Sequence, residues 1–175
     1  MSTGFTLVLG GARSGKSALA ERLVLTDADG QTPVYIATAE AWDDEMRSRI
    51  AQHRAARDGR GWQTREAPLT VAAVIAGLPP KTPVLVDCLT LWVTNHLLAQ
   101  SDLTNESQQL AQAIMAHQGP VTAVANEVGL GIVPDNALAR QFWDAAGRLN
   151  QDLAALADRV VFVAAGLPLA LKGTL

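Results

Sequence analysis

A chain of 175 residues that is 49% apolar can bury one substantial core, which excludes a disordered or stapled mini-protein and predicts one domain over 1–175. A formal charge of −3 argues against bulk nucleic-acid binding, which usually needs a basic face, without forbidding a local basic pocket, and the single cysteine, Cys88, excludes a disulfide and a cysteine-based zinc site. The start, MSTGFTLVLGG, has no signal-peptide architecture and no apolar run reaches the ~18 residues of a membrane span, so a cytoplasmic protein without a membrane span is expected.

The first predicted strand, FTLVLG at 5–10, is continuously apolar, as strands buried on both faces are. Residues 10–17, GGARSGKS, follow at once and match G-x-x-x-x-G-K-[ST] in full, with a helix pattern over 16–26 behind them. Strand, glycine loop and helix in that order make a phosphate cradle. Glycines let backbone N–H groups curl around phosphate oxygens, and the helix N-terminus adds its positive dipole end. Gly10, Gly11, Ala12, Arg13, Ser14, Gly15, Lys16 and Ser17 are therefore the nucleotide-binding candidates. Lys16 would reach the β- and γ-phosphates, and the Ser17 hydroxyl would hold Mg²⁺.

A second strand is predicted over 33–39 and a helix over 42–58. In that helix Asp43, Asp44 and Glu45 occupy the first turn, Met46 and Ile50 lie on the apolar side, and Arg49, His53 and Arg57 share one face. Two readings of His53 stand side by side. One is a solvated charged face with a spectator histidine. The other is a neutral imidazole, kept uncharged by Arg49, Arg54, Arg57 and Arg60, that attacks a nucleotide's α-phosphorus. Guanidinium forks would then stabilise the developing phosphate charge.

WQTREAP, 62–68, is polar enough to be an edge strand, and a helix follows over 69–78. The strand 83–89 ends its apolar run on Asp87, a carboxylate that would be costly there without a partner. Mg²⁺ beside the phosphate loop is one partner; capping the next helix is the other reading. Helices over 90–99 and 103–118, a strand over 120–128, a helix over 135–157 and a strand over 159–166 complete the alternation. The tail GLPLALKGTL could add one last strand. Leu138, Phe142, Ala145, Leu149, Leu153 and Leu156 keep helical spacing, and Trp42, Trp62, Trp92 and Trp143 read as core or interface residues. The alternation predicts an α/β fold: a mostly parallel central sheet with helices on both faces. The stretch Asn126–Pro134, NEVGLGIVP, is placed at the sheet's carboxyl edge, as a substrate or interface contact or as a plain connection.

Four stretches together, GGARSGKS, YIATAEAWDDEMRSRIAQHRAAR, LVDCLTLWVTN and ANEVGLGIVPDNALARQFWDAAGRLNQ, resemble the bifunctional adenosylcobinamide kinase/adenosylcobinamide-phosphate guanylyltransferase family of cobalamin biosynthesis, from about residue 5 to about 172. The resemblance implies a RecA-like P-loop core and a ring-like homotrimer. It implies phosphorylation of adenosylcobinamide by ATP or GTP, then transfer of GMP from GTP to adenosylcobinamide phosphate through a guanylylated histidine. The matching position is His53; its neighbour Gln52 is a histidine in some relatives. Nucleotide contacts implied by the resemblance fall on the phosphate loop, on Ala37, Thr38 and Ala39, on Arg54, Ala55, Ala56 and Arg57, and on Glu66 and Asp87. Ser17 and Asp87 would hold Mg²⁺, and some relatives carry Glu at the latter position. Two rivals remain: a P-loop small-molecule kinase without guanylylation, which needs no His53, and a RecA-like ATPase or nucleic-acid motor, which the acidic balance disfavours.

Overall fold

The computed structural model describes residues 4–40, 44, 48, 51, 55, 59 and 61–175. Strand β1 (Phe5–Gly10) leads into α1 (Lys16–Asp27) and β2 (Val34–Ala37). Then come β3 (Gln63–Glu66), α2 (Val71–Ala76), β4 (Val84–Asp87), α3 (Leu89–Leu98) and α4 (Leu103–Ala116). The chain ends with β5 (Val121–Asn126), α5 (Ala137–Leu156), β6 (Arg159–Ala164) and β7 (Leu167–Lys172). Between β2 and β3, the described residues Asp44, Ser48, Ala51 and Ala55 are helical, as expected for 42–58.

The seven strands form one sheet in the order β3-β2-β4-β5-β1-β6-β7. Every pairing is parallel except β6 with β7, which is antiparallel. The polar strand QTRE does lie at the edge, as its composition predicts, and the tail does supply the last strand. Both faces of the inner strands are covered because alternate side chains enter different cores. Phe5, Leu7 and Leu9 of β1 join a large core with residues of α2, α3, α4 and α5, while Val8 faces Leu19, Ala20 and Val24 of α1. Fully burying a side chain such as Leu7, Ile36 or Leu153 is worth roughly 1.5–3 kcal/mol, so the doubly covered sheet is the main source of stability.

Strands β2, β4 and β6 each stop two residues earlier than the apolar runs suggest, for a local reason. Strand β2 ends at Ala37 because the Thr38 hydroxyl is engaged with Cys88. Strand β4 ends at Asp87 because Cys88 is already the extended N-cap of α3. Strand β6 ends at Ala164 because Ala165 and Gly166 turn the chain back. The helix expected over 135–157 begins at Ala137, where the Asn136 side chain accepts the Ala139 N–H at 2.8 Å. Its apolar stripe is shorter than its spacing suggests. Leu149 and Leu153 are buried and Phe142 and Ala145 pack on the core, but Leu138 and Leu156 at the two ends are exposed.

Among the tryptophans, Trp92 is buried in the core, Trp62 packs on the α1 side, and half-buried Trp143 donates its Nε1–H to Val128 O at 2.7 Å. Trp42 lies outside the described residues. No helix among the described residues is long and apolar enough to cross a membrane.

Candidate functional site

The carboxyl edge of the parallel sheet holds the predicted residues at the ends of β1, β2, β3 and β4. Register places Glu66, Ala37 and Asp87 in one row across β3, β2 and β4, and Gly10 opposite Asn126 across β1 and β5. In parallel α/β sheets this edge is where ligands bind, because strand ends and helix N-termini meet there.

The loop from Gly10 to Gly15 is closed by its own backbone. Ser14 N–H donates to Gly11 O at 3.3 Å, and Arg13 (φ 56°) and Gly15 (φ 96°) take left-handed conformations. Gly15 is the N-cap of α1 and makes no side-chain cap, and the helix has no acidic residue in its first turn. The first-turn N–H groups of this helix are thus left for an external anion. Lys16 is buried at 9% exposure, and its ammonium curls back to donate to Gly11 O at 2.9 Å. A buried lysine beside uncapped helix N–H groups is the arrangement that suits a phosphate. Ser17 follows, half-buried on the same first turn.

Of the two readings of Asp87, helix capping is excluded by the structure. Asp87 does not cap α3, because the N-cap is Cys88 and no side-chain cap bond is made. Its Oδ2 instead accepts the Tyr35 hydroxyl at 2.6 Å, which orients the carboxylate from the neighbouring strand. Burial, and next the Asp87 charge, push the adjacent Cys88 thiol above its ordinary value of 9.0, so this thiol stays protonated near neutrality. Tyr35 was not a sequence candidate; a tyrosine inside an apolar run carries no signal until its partner strand is known.

Thr38 is fully buried. Its hydroxyl accepts from Cys88 N–H at 2.9 Å and donates to Cys88 O at 2.7 Å, so its side chain is spent on tying β2 to β4. Buried Asn95 on α3 extends this tie: its Nδ2 donates to Thr38 O at 2.8 Å and to Pro68 O at 3.0 Å. One amide thereby holds the ends of the chain that leave β2 and follow β3. Half-buried Ala37 and Ala39 flank Thr38, and Glu66 is exposed at the end of β3. Ala55 is helical and exposed, whereas His53, Arg54, Ala56 and Arg57 lie outside the described residues.

The loop NEVGLGIVP starts beside the phosphate loop, where Glu127 N–H donates to Gly10 O at 3.1 Å. It is held by Trp143, by Gly129 N–H to Glu127 Oε1 at 2.8 Å, and by Arg140 Nη1 to Pro134 O and Asp135 O. Its backbone is anchored while its apolar side chains are not: Leu130 is 79% and Ile132 97% exposed.

A complete phosphate loop on a buried strand, with an oriented carboxylate two strands away, defines a P-loop nucleotide-binding domain of RecA-like architecture. Solved structures agree on the fold: the flagellar accessory protein FlaH from Methanocaldococcus jannaschii has a TM-score of 0.56 at 10% identity, covering 98% of this chain and 79% of that one. A KaiC-like protein from Pyrococcus horikoshii has a TM-score of 0.53 at 11% identity, covering 91% of this chain and 70% of that one. The family model for cobinamide kinase / cobinamide phosphate guanyltransferase matches residues 6–171. The bifunctional adenosylcobalamin biosynthesis protein CobP of Pseudomonas aeruginosa is 48% identical over 170 residues, which are 95% of this chain and 96% of that protein. The corresponding CobU proteins of Salmonella typhimurium and Escherichia coli are 42% and 40% identical, each over 95% of this chain and 98% of the relative. The chain therefore belongs to the cobinamide kinase / cobinamide phosphate guanyltransferase family, and it is an enzyme of both transferase classes that the family's description states.

Proposed function

We propose that this chain acts in adenosylcobalamin biosynthesis as a cytoplasmic enzyme, first phosphorylating adenosylcobinamide and then guanylylating the product. The observation that carries the reading is the phosphate loop itself, with Lys16 drawn inside its curvature and an uncapped helix behind it. In the first reaction the hydroxyl of the substrate's aminopropanol arm attacks the γ-phosphorus of ATP or GTP. The bond from that phosphorus to the β-phosphate's bridging oxygen breaks, the diphosphate leaves and the hydroxyl proton is released. Lys16 and the N–H groups of the loop hold the β- and γ-phosphates in line for that displacement.

In the second reaction His53 attacks the α-phosphorus of GTP, pyrophosphate leaves, and the ring carries GMP by a P–N bond. An oxygen of adenosylcobinamide phosphate then takes the GMP and frees the ring. The arginines that surround His53 in sequence favour the neutral, nucleophilic imidazole. Ser17 and Asp87 offer hydroxyl and carboxylate oxygens, the hard donors Mg²⁺ prefers, and Asp87 is held by Tyr35 for that use. Mg²⁺ would neutralise phosphate charge there.

Ala37, Thr38 and Ala39 serve the nucleotide through their backbone and placement, since the Thr38 side chain is committed to Cys88. Glu66, Arg54, Ala55, Ala56 and Arg57 complete its contacts. The chain works as a homotrimer. The exposed apolar loop at Leu130 and Ile132, and the row Leu167, Leu169 and Leu171 on the edge strand β7, support self-association.

The test is mass spectrometry after incubation with GTP. A GMP adduct on His53 is expected; the absence of any adduct, with kinase activity intact, would leave a P-loop kinase only.

A further inference from the structure

We infer that the turn between β6 and β7 is part of the nucleotide-positioning machinery, with Gly166 as a positioning residue that aims the phosphate loop from outside its motif. Gly166 N–H donates to Ser14 O at 2.8 Å. The peptide joining Ser14 to Gly15 is planar and trans, so its N–H points opposite to its C=O. Holding the Ser14 carbonyl against the turn therefore directs the Gly15 N–H away from the turn, to the side from which phosphate oxygens approach.

Contact between loop and turn is direct, with no side chain between them. A Cβ on Gly15 would lie 3.2 Å from Gly166 Cα, and a Cβ on Gly10 would lie 2.5 Å from Val163 O. The glycine that opens the cradle is seated on the end of β6, and the one that closes it is seated on the turn that follows. The turn's own shape is set by its hairpin: Ala164 pairs with Leu167, and Ala165 (φ 50°) and Gly166 (φ 79°) are both left-handed, the requirement of a two-residue type I′ turn. The cradle is thus fixed in a binding shape before the anion arrives, which lowers the ordering cost of binding. This inference rests on the reading that the loop holds the triphosphate.

The experiment compares Gly166→Val and Gly166→Asn with the wild-type chain by titration with GTP and with ATP, alongside thermal melting and steady-state kinetics. A Cβ at Gly166 meets nothing within 4 Å, so Val acts through the backbone at its Cβ, where a β-branched residue resists positive φ. Expected is a roughly tenfold weaker affinity for both nucleotides in Gly166→Val, seen as higher KM in both reactions with a smaller change in kcat. Asn tolerates the left-handed conformation and should restore affinity to within about threefold. Gly166→Val that melts earlier yet binds GTP within about twofold of wild type would reduce the turn to a structural support and overturn the inference.

Amide exchange on the wild-type chain needs no variant to fold. Saturating GTP should slow exchange at Gly166, and an unchanged rate there with GTP bound would also overturn it. Lys16→Ala serves as control: undiminished GTP binding in that variant would instead fault the reading of the loop.

Discussion

Asn95→Ala tests whether one buried amide holds the base of the segment that carries His53. Asn95 is 4% exposed and spends both Nδ2 hydrogens on backbone carbonyls, Thr38 O at 2.8 Å and Pro68 O at 3.0 Å. Truncation leaves both acceptors without that donor. An unsatisfied buried group costs about 1–3 kcal/mol. Thr38 is fully buried and takes the full cost, while half-buried Pro68 can turn to water and takes little of it. Alanine returns roughly 0.5 kcal/mol of helix propensity in α3. The net loss is therefore about 1.5 kcal/mol, or some 3–6 °C in melting temperature for a chain of this size. Urea unfolding should show a lower midpoint at unchanged slope. GMP transfer should fall further than phosphorylation in the same variant, because the freed chain end leads toward His53 and not toward Lys16. A loss below about 0.5 kcal/mol would show that these carbonyls find other donors, and equal damage to both reactions would refute the anchoring role.

His53→Ala is expected to abolish GMP transfer and to leave adenosylcobinamide phosphorylation largely intact, whereas Lys16→Ala should damage both; radiolabelled product assays separate the two patterns, and unimpaired GMP transfer without Lys16 would place GTP elsewhere. Tyr35→Phe removes the 2.6 Å bond to Asp87 and should raise the Mg²⁺ concentration needed for half-maximal nucleotide binding by about tenfold, read by Mg²⁺ titration of a fluorescent nucleotide; an unchanged titration would detach Asp87 from the metal. Cys88 predicts a pH effect. Its folded thiol titrates above the ordinary 9.0 because of burial, so the unfolded chain ionises first. That contribution to stability is complete below pH 9.0 and is lost as pH rises toward the folded value. Urea midpoints should fall more steeply across that window for wild type than for Cys88→Ala, and parallel curves would contradict the assigned shift.

Local patterns made much of the fold readable. The phosphate loop is contiguous, so residue type and spacing state its chemistry directly, and in the fold Gly15 takes a left-handed conformation while Lys16 turns back to Gly11 O. Strands buried on both faces must be apolar throughout, which distinguishes β1, β4 and β5 from the polar edge strand β3. The supports of the site were not readable, because their partners are remote in sequence. Tyr35 meets Asp87 across 52 residues and Asn95 meets Thr38 across 57. No spacing rule links such pairs; only strand order does. Gly166 is similar: Ala-Gly after an apolar run signals a turn, but nothing in it says the turn touches Ser14. The ambiguity at Asp87 had the same origin, since a cap and a metal-side acid occupy the same position until the helix start is known.

Strand order also bears on how one loop can serve two reactions. On the proposed reading, a cradle that grips the β- and γ-phosphates leaves the α-phosphorus at its margin, so a nucleophile for GMP transfer would come from another element. The proposed nucleophile, His53, lies on the chain that leaves β2, and β2 is separated from β1 by β4 and β5. Three strand spacings put the two strand ends about 14 Å apart. The fifteen steps from Thr38 to His53 in the sequence, if helical, cover about 22 Å. On the proposed reading such a length would let His53 act within one subunit, and the quantity to control would be direction: where the chain points when it leaves β2. Thr38, locked to Cys88 and held by Asn95, sets that exit angle. The same lock sits one residue beyond Asp87, so the acid proposed for the metal and the start of the segment that carries the proposed nucleophile are parts of one hydrogen-bonded block.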